Sequence, residues 1–218
     1  MGKKKILKEL VSRYPALAEI EENIERAADL LIETYRNGGK VLICGSGGSA
    51  ADALHIVGEL MKSFVLKRKT DADFRARLAE TAGEDLDYLN ANLEGALPAI
   101  ALVENSALQT AFSNDVAGDL AFAQQTYGYG NAGDLLIAIS TSGNSRSGVL
   151  AAKVALAKGM KVIALTGEGG GKLGTLADVL VAVSDRETYR IQELHLPIYH
   201  ALCLIVEDAF FAAEGEPR

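Results

Sequence analysis

The sequence predicts an α/β protein, a three-layer α-β-α sandwich around a five-stranded parallel sheet. Three observations carry that prediction. Five short runs of strand-forming apolar residues, at 41–44, 99–103, 134–139, 161–166 and 178–183, alternate with segments of helical periodicity. These runs are apolar almost throughout instead of alternating with polar residues, as strands covered on both faces are. Turns rich in glycine and serine follow the first and third runs, at strand carboxyl ends, where ligands sit in such sheets.

Taken in order, residues 4–37 read as one or two helices broken near Pro15 and stopped at Asn37-Gly38-Gly39. Leu17, Ile20, Ile24, Ala27, Ala28, Leu31 and Ile32 recur there at helical spacing, on a face that covers either the chain's own sheet or a partner subunit. The strand at 41–44 turns through Gly45-Ser46-Gly47-Gly48-Ser49 into a helix reaching Phe64. Residues 67–95 are polar, with helical turns around 74–78 and 86–89, and too few apolar residues for a separate core. They read as an insertion into one domain spanning 1–218. After the strand at 99–103, residues 106–123 are helical with an interruption at Asn114-Asp115. The strand at 134–139 leads through residues 140–145 into a helix ending at Lys158. The strand at 161–166 precedes a glycine cluster, 167–171. The last strand, 178–183, precedes a long helix over 188–213.

Composition bounds the function. The chain has 218 residues, 49% hydrophobic and 23% charged, enough for one sizeable core. A net charge of −7 without a broad basic stretch argues against nucleic-acid binding. It also means that a phosphorylated ligand must be held by local N–H groups and hydroxyls. Cys44 and Cys203 lie in apolar runs and read as reduced core residues. The opening MGKKKILKELVSRY lacks the apolar stretch of a signal peptide, and no apolar run looks long enough to span a bilayer, so a cytoplasmic location is expected.

Two loops invite an anion. In the first, Ser46, Gly47, Gly48 and Ser49 open a helix whose N-terminal N–H groups and dipole favour a phosphate. Residues 45–50 also fit the dinucleotide pattern G-x-G-x-x-G/A, but the acidic strand end that pattern needs about twenty residues on is missing; residues 62–69 are basic and polar. The second loop places Ser140, Thr141, Ser142 and Ser145 before another helix, four hydroxyls at one strand end.

The three histidines lie near other polar groups. His55 and Glu59 are four apart and share a helix face. On the last helix Gln192, His195 and His200 fall on one side, since steps of three and eight residues turn roughly −60° and +80°. Polar groups in so apolar a helix need partners. His55 and Glu59 could supply them, by direct hydrogen bonds or across a zinc-like ion held by two histidines, a glutamate and a glutamine.

With these residues in hand, the chain resembles the sugar isomerase (SIS) domain family, and within it the phosphoheptose isomerases. The resemblance rests on VLICGSGGSAADALHIVGEL, PAIALVENSALQTAFSND, GDLLIAISTSGNS, GMKVIALTG and RIQELHLPIYH, across about residues 28–212. It implies a flavodoxin-like sheet, a homotetramer with sites at subunit boundaries, and conversion of sedoheptulose 7-phosphate to D-glycero-D-manno-heptose 7-phosphate for bacterial surface heptose. It implies sugar-phosphate contacts at Ser46, Gly47, Gly48, Ser49, Asn114, Asp115, Ser140, Thr141, Ser142 and Ser145. It also implies that His55, Glu59, Gln192 and His200 surround the reacting carbons, with zinc in some members. Two features depart from the family: the insertion at 67–95 is long, and Tyr189 stands where many relatives carry an acidic residue. A noncatalytic SIS binder, such as a replication-initiator-associating protein, and an isomerase of another phosphosugar are the competing readings.

Ketose–aldose exchange needs a base at the carbon beside the carbonyl and an acid at oxygen. Glu59 is the expected base, because a carboxylate on a part-buried helix is more basic than in water. His200 is the expected acid.

Overall fold

The computed structural model describes residues 2–212. β1 (Val41–Cys44), β2 (Ala99–Ala101), β3 (Leu135–Ser140), β4 (Lys161–Thr166) and β5 (Val179–Ala182) form one sheet in the order β2-β1-β3-β4-β5. Every neighbouring pair is parallel; Ile43 lies opposite Ala101 on one side and Ile137 on the other. The chain passes from β1 to the edge strand β2, then crosses back over β1 to β3 on its other side. The crevice above the carboxyl ends of β1 and β3 is therefore the topological switch point.

Strand parity sorts the side chains into two cores. Val41 and Ile43 join Leu135, Ile137 and Ile163 in one cluster, covered by α1 (Lys3–Arg13), α2 (Glu21–Arg36), α3 (Gly48–Met61) and α10 (Thr188–Phe211). Leu42 and Cys44 join Leu136, Ala138 and Val162 in the other, covered by α7 (Ala121–Tyr129), α8 (Arg146–Ala157) and the short α9 (Gly171–Gly174). All four residues of β1 are buried, so neither parity faces water and the run cannot alternate. Each such aliphatic side chain contributes about 1.5–3 kcal/mol through burial. The expected three layers and five parallel strands are present.

α1 and α2 are separated by a 3₁₀ stretch, Pro15–Ile20, which begins at the proline that ends α1's hydrogen-bond ladder. The polar stretch 67–95 forms α4 (Ala72–Thr81) and α5 (Leu86–Asn92), neither with a buried residue. Asp71 caps α4 by accepting from Phe74 N at 2.7 Å.

Several boundaries differ from expectation. β2 stops at Ala101, because Leu102 N still donates to Ile43 O but Glu104 N turns back to Ala101 O. The helix after β2 breaks later than Asn114-Asp115. α6 (Ser106–Asp115) includes both residues, and Val116, at φ −130° and ψ −85°, leaves helical geometry. A 3₁₀ turn at Gly118–Leu120 then leads into α7, which runs on to Tyr129. The described part of the last helix ends at Phe211; Ala213 lies outside the described residues. That helix is also long and apolar enough to cross a membrane, contrary to the sequence expectation. Its apolar side chains, among them Ile191, Ile198, Leu202 and Val206, are instead buried in the core against α1, α2 and α3.

Candidate active site

The two glycine- and serine-rich loops follow adjacent strands and so meet at the switch point. In the first, Gly47 takes φ +61° and ψ −124°, a backbone conformation that L side chains rarely adopt. A Cβ at Gly45 would lie 2.3 Å from Ser49 O, so the turn into α3 can close only on glycine. Ser49 is buried, while Ser46, Gly47 and Gly48 face outward. In the second loop Gly143 N donates to Ser140 O at 2.9 Å and Ser145 N to Ser140 Oγ at 3.4 Å. Ser142 Oγ accepts from Asn144 N at 3.2 Å. Gly143, at φ +63°, rests against the 167–171 turn, where its Cβ would meet Gly170 O at 2.0 Å.

Beside the first loop and the first turn of α8 lies a cavity of about 190 Å³ lined by Ser46, Gln109, Ser113, Phe122 and Ser147, among others. Three small hydroxyls and an amide around one opening, beside two helix N-termini, can hold a phosphate without a cation. Gln109, Ser113 and Ser147 were not singled out from sequence. Gln109 and Ser113 are one turn apart on α6, a spacing that could have flagged them. Asn114 and Asp115 stand at the exposed end of α6, where Asn114 Nδ2 donates to Asp115 Oδ1 at 2.7 Å. Thr141 is partly exposed and its carbonyl accepts from Gly167 N.

A second cluster forms where α3 and α10 lie side by side. The helices run in the same direction: Gln192 sits against Gly48 and, two turns on, His200 against His55. His55 Nε2 is 3.3 Å from Glu59 Oε1 and 3.5 Å from His200 Nε2. Lys62 Nζ lies 3.3 Å from Glu59 Oε2. The His55 and His200 rings meet edge to face, with centroids 4.9 Å apart. Burial, reinforced by His55, holds His200 below the usual histidine range, so its imidazole is neutral near pH 7. His200 also lines a second cavity, walled by Glu9 and Arg13 of α1 and by Tyr14 just past its end.

Gln192 stays with the first loop. Eight residues of helix separate it from His200, about 12 Å of rise. One chain therefore gathers His55, Glu59 and His200 but does not bring Gln192 to them. His195 points elsewhere, toward the sheet. It is fully buried with Nε2 3.2 Å from Thr166 O, and burial lowers its pKa to about 4. It acts as a neutral structural donor at the end of β4.

Two more residues complete the cluster. Tyr199 is buried, with its hydroxyl 3.0 Å from His55 Nδ1, and it donates to Asp52 Oδ1 at 3.3 Å. Desolvation raises the Asp52 pKa, and raises that of Tyr199 as well. Asp52 is three residues before His55, so the helical repeat carried a signal for it. For Tyr199, an apolar neighbour of His200 in sequence, there was none.

The donor set of the cluster, two imidazole nitrogens and a carboxylate oxygen, is chemically suited to zinc. Donors sharing a tetrahedral zinc at the usual bond lengths stand about 3.3 Å apart, close to both spacings around His55 Nε2. Among the described residues, however, no three His, Cys, Asp or Glu side chains stand ready as a ligand group. The pairwise spacings alone suit the ion, and His55, the exposed member, would have to rotate for the set to close.

The profile of the SIS domain matches residues 7–90 and 93–167. The phosphoheptose isomerase of Aliarcobacter butzleri is 36% identical over 210 residues, covering 94% of this chain and 97% of that protein. That of Synechocystis sp. is 38% identical over 192 residues, covering 88% and 86%. Among solved structures, the phosphoheptose isomerase of Neisseria gonorrhoeae superposes with a TM-score of 0.72 at 34% identity, covering 92% of this chain and 94% of that one. The enzyme from Francisella tularensis gives the same score at 32% identity, covering 94% and 97%.

Proposed function

The chain belongs to the SIS domain family, and we propose that it is a ketose–aldose isomerase. It interconverts sedoheptulose 7-phosphate and D-glycero-D-manno-heptose 7-phosphate through an enediol, as a step toward bacterial surface heptose. The observation that carries this reading is the convergence of Glu59, His55 and His200 on paired helices that begin beside the hydroxyl loops. Binding alone would not require a carboxylate and two imidazoles gathered at one point.

In this reading, Ser46, Gly47, Gly48, Ser49, Ser140, Thr141, Ser142 and Ser145 hold the phosphate end, and Asn114, Asp115 and Gln192 contact the sugar. Glu59 removes the proton from the carbon beside the carbonyl. His200, neutral near pH 7, donates its N–H to the sugar oxygen as negative charge develops there. Remote phosphate binding fixes the reacting carbons against Glu59. Zinc, where bound, would be held by His55, Glu59 and His200, with Gln192 from another copy, and would polarise the carbonyl in place of the His200 N–H.

We place the enzyme in the cytoplasm as a homotetramer with sites at subunit boundaries. Two features support shared sites. Eleven residues of α3 separate Gly48 from Glu59, about 16 Å of rise, longer than an extended seven-carbon chain. A substrate held at one chain's loops thus reaches a base supplied by another. Leu54, Met61, Val65 and Leu196 also expose about 40% or more of their surface around the cluster, an apolar rim suited to a partner.

The test is aldose formation from sedoheptulose 7-phosphate in D₂O, with and without zinc. Turnover with solvent deuterium on carbon, falling about 10²–10⁴-fold in Glu59→Gln, is the expected result. Binding of the sugar phosphate without turnover in either metal condition would leave a noncatalytic role.

A further inference from the structure

The cavity beside the first loop and α8 has one firmly held wall and one lightly held wall. Ser46 follows β1 and Ser147 opens α8 after β3, so both hang from adjacent central strands. Gln109 and Ser113 stand on α6, none of whose ten residues is buried. A helix with so little surface in the core is placed by its polar ties. At its start, Asn105 Oδ1 accepts from Leu108 N at 3.0 Å, and Gln109 Nε2 donates to Leu102 O at 3.1 Å. Its other end packs on the 3₁₀ turn Gly118–Leu120, where a Cβ at Gly118 would lie 2.9 Å from Ser113 Oγ. That turn carries Asp119, which accepts from Arg146 Nε in the first turn of α8. Gly118 and Ser147, the sequence neighbours of the paired residues, both line the cavity. The ion pair therefore spans the cavity rim, from the far end of α6 to the helix that follows the second loop.

We infer that Asp119 and Arg146 are positioning residues whose ion pair clamps the α6 wall, with Gln109 and Ser113, onto the start of α8 and so keeps the phosphate cavity closed on that side. The two charges cancel, so Arg146 serves as a tie and not as a counter-ion for the phosphate. The Arg146 side chain is 76% exposed and that of Asp119 35%. Water and salt weaken such a pair, and it shifts an equilibrium only about two- to fivefold. On a helix without buried side chains that shift is felt, because little else opposes its movement. The effect falls on substrate binding, since Glu59 and His200 stand on α3 and α10, outside the unit formed by α6, the 3₁₀ turn and α8. The inference rests on reading this cavity as the phosphate site; only its effect on KM rests on the isomerase reading.

Two double variants of the intact chain keep the net charge of the pair at zero. Asp119→Asn with Arg146→Gln removes the clamp, and Asp119→Arg with Arg146→Asp rebuilds it with the charges exchanged. Calorimetric titration with inorganic phosphate reads the cavity without turnover, and KM and kcat for sedoheptulose 7-phosphate read it during turnover. At low salt the neutral variant should raise the phosphate Kd and KM about two- to fivefold, with kcat within about twofold, and the exchanged variant should restore both. High salt should bring the wild type toward the neutral variant. A neutral variant with wild-type phosphate affinity, or a loss that the exchanged pair does not restore, overturns the inference, as does a wild type that binds no phosphate. An inactive wild type whose phosphate affinity still follows this pattern would instead refute the isomerase reading and leave the clamp standing.

Discussion

Arg68 Nε donates to Glu207 Oε1 at 2.8 Å, and both side chains are completely buried. Glu207 also accepts from the backbone N–H groups of Phe64, Val65 and Leu66, and Arg68 donates to the carbonyls of Glu59 and Leu60. The pair thus ties the end of α3, and with it Glu59, to α10 just where the polar insertion leaves the fold. Removing one partner strands a buried charge, which costs about 3–5 kcal/mol. Arg68→Met and Glu207→Gln should each lower stability by that amount in urea titrations, and the double variant should lose less than the sum. Additive losses would show that the two charges do not depend on each other.

His195 makes stability depend on pH. Its folded pKa, about 4, lies below the ordinary 6.5 because burial disfavours the imidazolium. Above pH 6.5 the residue is neutral folded and unfolded and contributes no slope. As pH falls from 6.5 toward 4 only the unfolded chain takes up the proton, so stability is lost, about 3 kcal/mol in all, and the loss levels off below pH 4. His195→Gln should remove that component. The measurement is the difference between wild-type and variant unfolding free energies across pH 7 to 4; a flat difference refutes the assignment.

The second loop depends on Gly143. An alanine there would require a left-handed φ and would put Cβ 2.0 Å from Gly170 O. Gly143→Ala should lower stability by about 2–3 kcal/mol and raise KM for the phosphosugar several-fold, by displacing Ser142 and Ser145. Thermal shift with inorganic phosphate offers a direct check. An unchanged phosphate response would mean that this loop does not hold the anion.

Zinc binding is a separable test. If His55 and His200 hold the ion, His55→Ala and His200→Ala should each weaken it at least about tenfold, while Cys44→Ala, on the opposite face of β1, should not. Elemental analysis after dialysis against graded chelator reads this directly. Wild-type protein that retains no zinc would confine the chemistry to the side chains.

Some of this protein was legible in one dimension. Five apolar runs of 4–6 residues between amphipathic segments leave few arrangements other than a covered parallel sheet, because each strand must bury both faces. The loops at residues 45–49 and 140–145 were legible because glycine and hydroxyl density at a strand end reports local backbone chemistry. His55 and Glu59 were legible as a pair because the helical repeat alone sets their spacing. The break after α6 was misplaced by two residues, since Asn114 and Asp115 look like breakers while backbone geometry changes at Val116.

What only the tertiary structure decided is which helix faces which. Gln192, His195 and His200 share a side of α10 by angle, yet they meet three environments: the first loop, the sheet and the His55 cluster. Their neighbours depend on the order β2-β1-β3-β4-β5, which places α10 beside α3 and in the same direction. The same docking set Tyr199 between Asp52 and His55, and closed Arg68 onto Glu207 across more than a hundred residues of sequence. The physical reason is one of range. Dihedral preference and hydrophobic period act over a few residues and are written along the chain, whereas a buried hydrogen bond between distant segments exists only once the core has fixed the register of the helices that carry it.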